Sequence, residues 1–277
     1  MHAQGVVAAG LATADTVGVA RVLTAHGNEG ADTPAAYGGV SGLARAALRD
    51  RFARYVVEHV DVVVGSHPDW RVNLPIQPRR FSHIPNIVDD AFFTIHRRAN
   101  SSVVLFVGGQ RAIKGWPVLA AAWPAVKAAI SHARLIAAGW LEGPRPLDVD
   151  PTVRDSISYE GTFPANQLVA LMAEPSVLAI PSLFEVAPVI LAEAWAMRLP
   201  VVAGAVGGIP GLASGAAALV PPGSASKLAE RLIGVLRGYA GLDALAAEGC
   251  RRAESHSSRA VGAKHLSLYS ELLREHG

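Results

Sequence analysis

The sequence of 277 residues has a single cysteine, Cys250, so no disulfide can form within the chain, and a reducing compartment is expected. No apolar run reaches the length of a membrane span. The 25 Lys and Arg residues nearly balance the 23 Asp and Glu residues, which excludes the basic surface typical of nucleic-acid-binding proteins. Hydrophobic residues make up 51% of the chain, enough for a globular protein with a substantial core.

Several common motifs are also missing. The chain has no G-x(4)-GK[ST] loop, which excludes a typical P-loop NTPase. AGAVGGIPG lacks the spacing and the following acidic residue of a dinucleotide-binding fingerprint. The histidines show no zinc spacing. We therefore expect neither a resident cofactor nor a metal, and a mechanism in which cationic side chains supply the positive charge.

The apolar runs alternate with helical patterns along the chain, as they do in proteins with parallel sheets. The first series contains a strand end at MHAQG, then predicted elements at Val6–Thr16 (helix), Ala20–Ala25 (strand), Val40–His59 (helix), Asp61–Gly65 (strand), Asp69–Leu74 (helix) and Phe81–Ile84 (strand). The polar stretch HRRANSS, residues 96–102, predicts a boundary. We predict a partial N-terminal lobe at 1–98, a second lobe at 99–257, and a C-terminal helix at 258–277 that returns toward the first lobe.

The second series is complete. Strands are predicted at 103–108, 133–139, 156–161, Val177–Pro181, Pro200–Ala203 and 218–223, with helices beginning near Pro117, Asn166, Pro188, Ala225 and Ser258. The stretch Val177–Gly208 holds two carboxylates, Glu185 in a turn and Glu193 early in a helix. Open α/β sheets bind ligands at such strand ends, and helix amino ends stabilise anions. The alternative is that both are ordinary solvated glutamates at a helix start.

A second candidate element is FVGGQRAIKGWP, residues 106–117. A strand ends, a glycine turn follows, and Arg111 and Lys114 precede a helix opened by Pro117. Cations beside the amino end of a helix favour the binding of an anionic group there. The alternative is that Lys114 is a solvated loop lysine.

The segment PSLFEVAPVILAEAWAMRLPVVAGAVGGIP resembles the donor-site signature of retaining glycosyltransferases of family 4, which have the GT-B fold. FVGGQRAIKG resembles the G-R-x(4)-K-G element of the same family, and the order THG, DVVVGSHPDWRVNL, IPNIVDDAFF resembles the second half of its N-terminal lobe. The resemblance implies an α/β, GT-B-like protein with two Rossmann-like lobes, the first incomplete. The family's first strands and acceptor-side glycine-rich loop have no counterpart, which predicts either a truncated chain or a shortened lobe.

The resemblance also implies roles for individual residues. Glu185 would contact the sugar hydroxyls, Lys114 with Arg111 the diphosphate, Glu193 the ribose, and His26 the donor sugar from the first lobe. The implied catalytic residues are Glu185, Lys114 and His26, and the implied donor-binding residues are Glu193, Arg111, Gly109, Val189, Gly207 and Gly208. Ser66 and Arg71 match a family S-x(4)-R stretch that lines the region between the lobes, and Asn86 matches a family turn near the hinge, with helix capping and turn formation as the alternative.

The chain departs from the family pattern at three places. The family's Arg falls on Gly109, its glycine–aromatic pair after the first Glu is Val186-Ala187, and its acidic residue after Gly-Gly-Ile-Pro is Gly211. These departures leave the nucleotide and the sugar of the donor open.

The implied function is transfer of a hexose-type sugar from a nucleotide-sugar to an acceptor, with retention of configuration. One alternative is a catalytically inert nucleotide-sugar-binding module or gene fragment, and another is a GT-B nucleotide-sugar epimerase. The expected acceptor is a lipid-linked or small-molecule glycan, and the expected location is the cytoplasm, at the inner face of the membrane.

One interpretation of the helix Val40–His59 is membrane contact, because it mixes arginines with large apolar residues in the manner of a basic interfacial helix. The residues concerned are Arg45, Leu48, Arg49, Arg51, Phe52, Arg54 and Tyr55. The alternative is an ordinary lobe helix that packs its apolar side on the sheet.

Overall fold

The computed structural model describes residues 1–5, 19–25, 39–68, 77–95, 101–139, 149–162 and 165–276. The predicted helices Val6–Thr16 and Asp69–Leu74 lie wholly outside these ranges, and so do His26 and Arg71. Within the ranges described, no helix combines the length and the hydrophobicity that crossing a membrane requires.

The described strands are β1 His2–Gln4, β2 Val22–Ala25, β3 Val62–Gly65, β4 Phe81–His83, β5 Val103–Val107, β6 Arg134–Ala138, β7 Ile157–Gly161, β8 Val177–Ile180, β9 Val201–Gly204 and β10 Ala218–Val220. The described α-helices are α1 Gly39–Glu58, α2 Ala91–Thr94, α3 Trp116–Ala129, α4 Ala165–Met172, α5 Val189–Ala196, α6 Ile209–Ala213, α7 Ala225–Leu236, α8 Leu242–Ala253 and α9 Ser258–His276.

The chain divides into two compact units, Met1–Asn86 with Arg259–Gly277, and Ile87–Ser258. The first unit has a four-stranded parallel sheet in the order β1-β2-β3-β4. Its core joins strand residues to the buried side of α9, through Val22, Val62, Val64, Ile84, Val261, Leu268 and Leu272. The C-terminal helix is therefore part of the first unit.

The second unit has a six-stranded parallel sheet in the order β10-β9-β8-β5-β6-β7. Apolar clusters cover the sheet on both faces, one built around Leu178 and Trp195, the other around Leu119 and Trp123. Because β8 and β9 are buried along their whole length, they read in the sequence as unbroken apolar runs. The strand order reverses between β5 and β8, and this reversal is where doubly wound sheets bind ligands.

The division between the units follows Asn86, ahead of the polar stretch 96–102 where the sequence placed a boundary. Val88 and Phe92 are buried in the core of the second unit, at 1% and 3% exposure. The Val88 N–H also donates to the carbonyl of His256 at 2.9 Å. The burial of Val88 and Phe92 therefore makes this short segment part of the second unit, although the polar stretch comes after it.

Helix α8 was not predicted from the sequence, and neither were the short helices α2 and α6. Helix α8 begins after Gly241, which has φ 100°, and it carries Asp243 in its first turn and Arg251 and Arg252 in its last. Acidic residues at the start and basic residues at the end of a segment favour a helix, and that pattern was available in the sequence. The helix packs against α5, with Gly249 lying against the ring of the buried Trp195.

Replacing Gly249 with Ala is expected to destabilise the protein by roughly 1–3 kcal/mol, because an added Cβ would lie 2.9 Å from Cγ of Trp195. The Trp195 ring is held by a 3.0 Å hydrogen bond from Nε1 to the carbonyl of Ala216, so it cannot easily move. The matched control is Gly262→Ala in α9, where an added Cβ meets nothing within 4 Å. Urea unfolding compares the two; a Gly249 variant as stable as the Gly262 variant would contradict the packing described.

Candidate active site

Three loops meet at the carboxyl edge of the second sheet. They follow β5, β8 and β9, which are neighbours in the strand order, and they contain residues 108–115, 181–188 and 205–208. Parallel strands place their carboxyl ends at the same edge, so side chains far apart in the sequence come together there.

The Lys114 ammonium and the Glu185 carboxylate form an ion pair across the first two loops. Nζ of Lys114 donates to Oε1 of Glu185 at 2.7 Å, and the hydroxyl of Ser182 donates to the same oxygen at 2.9 Å. The Glu185 side chain is only 10% exposed, whereas that of Lys114 is 32% exposed. The cation therefore faces solvent more than the carboxylate does, and it is the more available of the two to an incoming anion.

Glycines allow the backbones of these loops to approach one another closely. Gly207 has φ 51°, and an added Cβ would overlap the carbonyl oxygen of Glu185. The N–H of Gly208 donates to that same carbonyl at 3.2 Å. Gly115, with φ 79°, lies equally close to the carbonyl of Pro181. A side chain is thus excluded at both of these positions, which explains why the sequence has glycine there.

The predicted donor-binding glycines use their backbone within the protein. Gly109 is buried with φ 64°, and its N–H donates to the carbonyl of Ala138 at 3.0 Å. Gly208 uses its N–H on Glu185, as described above. These backbone contacts shape the loops that carry the charged side chains.

Arg111 lies on the same loop as Lys114 but is exposed, in extended backbone ahead of a short 3₁₀ turn at Ala112–Lys114. That turn is tied to the next loop by the N–H of Leu183, which donates to the carbonyl of Ile113 at 2.9 Å. The structure therefore brings Lys114, and not Arg111, into contact with Glu185.

Val189, a predicted donor-binding residue, is the first residue of α5 and is 39% exposed. Glu193 lies in the second turn of the same helix. Burial raises the pKa of Glu193 from its ordinary value of 4.5 to about 7. Within the described ranges, no hydrogen bond or ion pair reaches its carboxylate. A carboxyl group whose pKa is strongly raised by burial is a candidate functional-site residue.

Ser182 is the site residue that sequence reasoning missed. It is 2% exposed and contacts Glu185 directly. The Pro-Ser pair of the motif contained it, but its role depends on a contact that spacing alone does not reveal.

In the first unit, Ser66 follows β3 at the carboxyl edge, is 4% exposed, and has no partner for its hydroxyl in the part of the chain described.

Groups of three or more His, Cys, Asp or Glu side chains able to hold a metal ion are absent from the described residues.

Comparison with known proteins finds a family model that matches the part of the chain containing this site. Residues 101–238 match the family model described as Glycosyl transferases group 1. This match covers both candidate elements, and it begins and ends within the second unit. No curated protein sequence matches the chain.

Solved structures with a similar fold include sucrose-phosphate synthase from Thermosynechococcus elongatus, with 21% identity over 99% of this chain and 73% of that one, at a TM-score of 0.76. HepE from Anabaena, in complex with UDP and glucose, has 16% identity over 96% of this chain and 73% of that one, at 0.67. A TarM variant from S. aureus has 12% identity over 90% of this chain and 50% of that one, at 0.68. Together with the parallel sheets, these matches confirm the predicted α/β, GT-B-like fold.

Proposed function

Because residues 101–238 belong to the glycosyl transferases group 1 family, we propose that this protein transfers a hexose-type sugar from a nucleotide-sugar to an acceptor, with retention of configuration. The observation that carries the proposal is the Lys114–Glu185 ion pair, which lies at the ligand-binding edge of the second sheet. The enzyme class follows from the family, whereas the sugar, the stereochemistry and the acceptor are our inference.

In the proposed reaction, the bond between the anomeric carbon and the diphosphate oxygen breaks, and the nucleoside diphosphate leaves with the electron pair. The acceptor hydroxyl forms the new bond on the same face of the sugar and passes its proton to the oxygen of the departing diphosphate. Lys114 turns from Glu185 to the diphosphate and stabilises the charge that grows there as the bond breaks. This step needs a mobile cation, and a partly exposed lysine on a flexible stem supplies one.

The two carboxylates bind hydroxyl groups of the donor. Ionised carboxylates are hydrogen-bond acceptors only, and sugar and ribose hydroxyls are donors. In our proposal Glu185 accepts from the sugar and Glu193 accepts from the ribose. The raised pKa of Glu193 is consistent with this role, because a ribose would provide the hydrogen bonds that the described protein residues do not.

The donor and acceptor classes are supported by what similar proteins bind. HepE was crystallised with UDP-glucose, and the TarM variant with UDP, α-GlcNAc-glycerol and the glycan Fondaparinux. We therefore propose a uridine nucleotide-sugar as the first donor to examine, and a lipid-linked or small-molecule glycan as the acceptor.

Incubation of the full chain with UDP-, GDP- and ADP-sugars, with and without glycan acceptors, tests the function. We expect nucleotide release that increases when an acceptor is added, and loss of that release in Lys114→Ala. A new sugar epimer formed without acceptor would instead indicate an epimerase. Binding without release or epimer formation across the panel would indicate an inert binding module.

We also propose that α1 contacts an anionic membrane surface. Leu48, Phe52 and Tyr55 are 70%, 36% and 47% exposed and lie at helical spacing on its outer side, with Arg51 and Arg54 exposed beside them. The inner side buries Ala53, Val56 and Val57, so packing within the unit does not need the outer residues. The side chains of Arg45 and Arg49 lie outside the described residues.

Co-sedimentation with vesicles containing phosphatidylserine is expected to pellet the wild type at low salt and less of it at high salt, because surface attraction is screened. The double substitution Leu48→Gln with Phe52→Gln should abolish pelleting, since it removes exposed apolar area only. Arg134→Gln, an exposed change in the second unit, is the control. Wild type that stays in the supernatant at low salt would show that α1 is an ordinary lobe helix.

A further inference from the structure

We propose that Ser182 is a positioning residue that holds Glu185 in place when the donor draws Lys114 away, an inference that rests on the proposed function. Lys114 and Ser182 both donate to Oε1 of Glu185, at 2.7 and 2.9 Å. No donor reaches Oε2 in the part of the chain that the structure describes. One carboxylate oxygen is therefore held by the protein, and the other is available to a sugar hydroxyl.

Ser182 acts through Glu185 because it is too buried to touch a ligand. It is 2% exposed, and its hydroxyl donates to the carboxylate three residues along the chain. Lys114 can leave the carboxylate for a diphosphate, since its side chain is 32% exposed and has four rotatable bonds. Ser182 has no comparable freedom, so its hydroxyl keeps the hydrogen bond to Oε1 of Glu185 both without and with a bound donor.

The backbone around Ser182 is fixed from both sides, which sets the direction of the hydroxyl. The preceding carbonyl, of Pro181, lies against Gly115, and an added Cβ at Gly204 would lie 2.9 Å from the carbonyl of Ser182. The next N–H, of Leu183, donates to the carbonyl of Ile113 at 2.9 Å. These contacts come from the loop after β5 and from the last residue of β9, the two strands that neighbour β8 in the sheet, so both sides hold the serine in place.

This arrangement separates two parts of donor binding. Contacts to the diphosphate depend on Lys114, whereas contacts to the sugar depend on the orientation of Glu185. Loss of the Ser182 hydroxyl is therefore expected to leave nucleotide binding unchanged and to weaken binding of the attached sugar. A merely structural role would weaken both.

The test is a double-mutant cycle on the full chain, with Ser182→Ala, Glu185→Gln and the double variant, each titrated by calorimetry with UDP and UDP-glucose. GDP with GDP-mannose and ADP with ADP-glucose replace this pair if the wild type binds one of them better. We expect Ser182→Ala to change the Kd for the diphosphate by less than about twofold and to raise the Kd for the sugar nucleotide about tenfold or more. In the Glu185→Gln background, the same serine change is expected to alter the sugar-nucleotide Kd by less than about twofold.

Ser182→Cys, nearly the same size with a weak donor, is expected to show the same selective loss and serves if the alanine variant does not fold. Equal weakening of both ligands, or additive losses in the cycle, would overturn the positioning role while leaving the proposed function intact. A wild type that binds no member of the three pairs would overturn the proposed function itself, and this inference with it.

Discussion

Replacing Glu193 with Gln is expected to stabilise the ligand-free protein at pH 8 while weakening its binding of nucleotide. Burial raises the pKa of Glu193 to about 7, so the ionised form is held in the folded state at a cost in free energy. Gln has nearly the same shape and no charge, which removes that cost. A residue retained for stability alone would not behave in this way.

The pH dependence has a definite sign. Between pH 4.5 and about 7, the unfolded chain has released the Glu193 proton and the folded chain still holds it, so the free energy of unfolding falls as pH rises through this window. Above pH 7 the decrease in the free energy of unfolding is complete, and it amounts to on the order of 3 kcal/mol. The advantage of Glu193→Gln should therefore grow from pH 5 to pH 7 and then level off.

Urea unfolding at pH 5 and pH 8 measures this difference directly. Glu230→Gln is the matched control on the exposed face of α7, where a hydrogen bond from Lys227 lowers the pKa of the carboxyl group instead. No gain in stability is expected for that variant. If Glu193→Gln gained nothing at pH 8 relative to pH 5, Glu193 would not be the desolvated carboxyl group described here.

Replacing Lys114 with Met is expected both to destabilise the protein and to remove most of its nucleotide affinity. The Glu185 carboxylate, 10% exposed, would keep only the Ser182 hydroxyl as a donor. Loss of a charged hydrogen bond to such a group costs about 2 kcal/mol. Met keeps much of the apolar stem of Lys, so the effect reports on the ammonium group.

The double variant Lys114→Met with Glu185→Gln separates the two effects. Removing the carboxylate charge along with its partner is expected to recover most of the lost stability, because no buried charge is left without a counterion. Nucleotide binding should not recover, since the cation that meets the diphosphate is still missing. A Lys114→Met variant with wild-type stability would contradict the ion pair, and recovered binding in the double variant would contradict the role of Lys114.

Much of the second unit could be predicted from the sequence. Strands buried on both faces, such as β8 and β9, are short unbroken apolar runs, and the turns between them contain glycine and proline. Glu185 and Lys114 were identified as candidates from their motifs, but their contact was not predicted. The two residues are 71 positions apart, and only the strand order brings their loops together.

Other features depend on packing that no local pattern encodes. The raised pKa of Glu193 comes from burial within the fold. The assignment of Val88 and Phe92 to the second unit reflects the core they enter, which lies far along the chain. The predicted donor-binding glycines Gly109, Gly207 and Gly208 make close contacts within the protein, and their role in donor binding stays a prediction. The role of His26 stays a prediction, since that residue lies outside the described ranges.

The most direct measurement is calorimetric titration of the full chain with UDP, GDP and ADP, using the wild type, Lys114→Ala and Glu193→Ala. If the carboxyl edge of the second sheet binds the donor, the wild type binds at least one of these nucleotides. Each substitution then weakens that binding by about 1.5–3 kcal/mol, the contribution of a charged hydrogen bond. Wild-type affinity in both variants would contradict the assignment of this edge as the donor site.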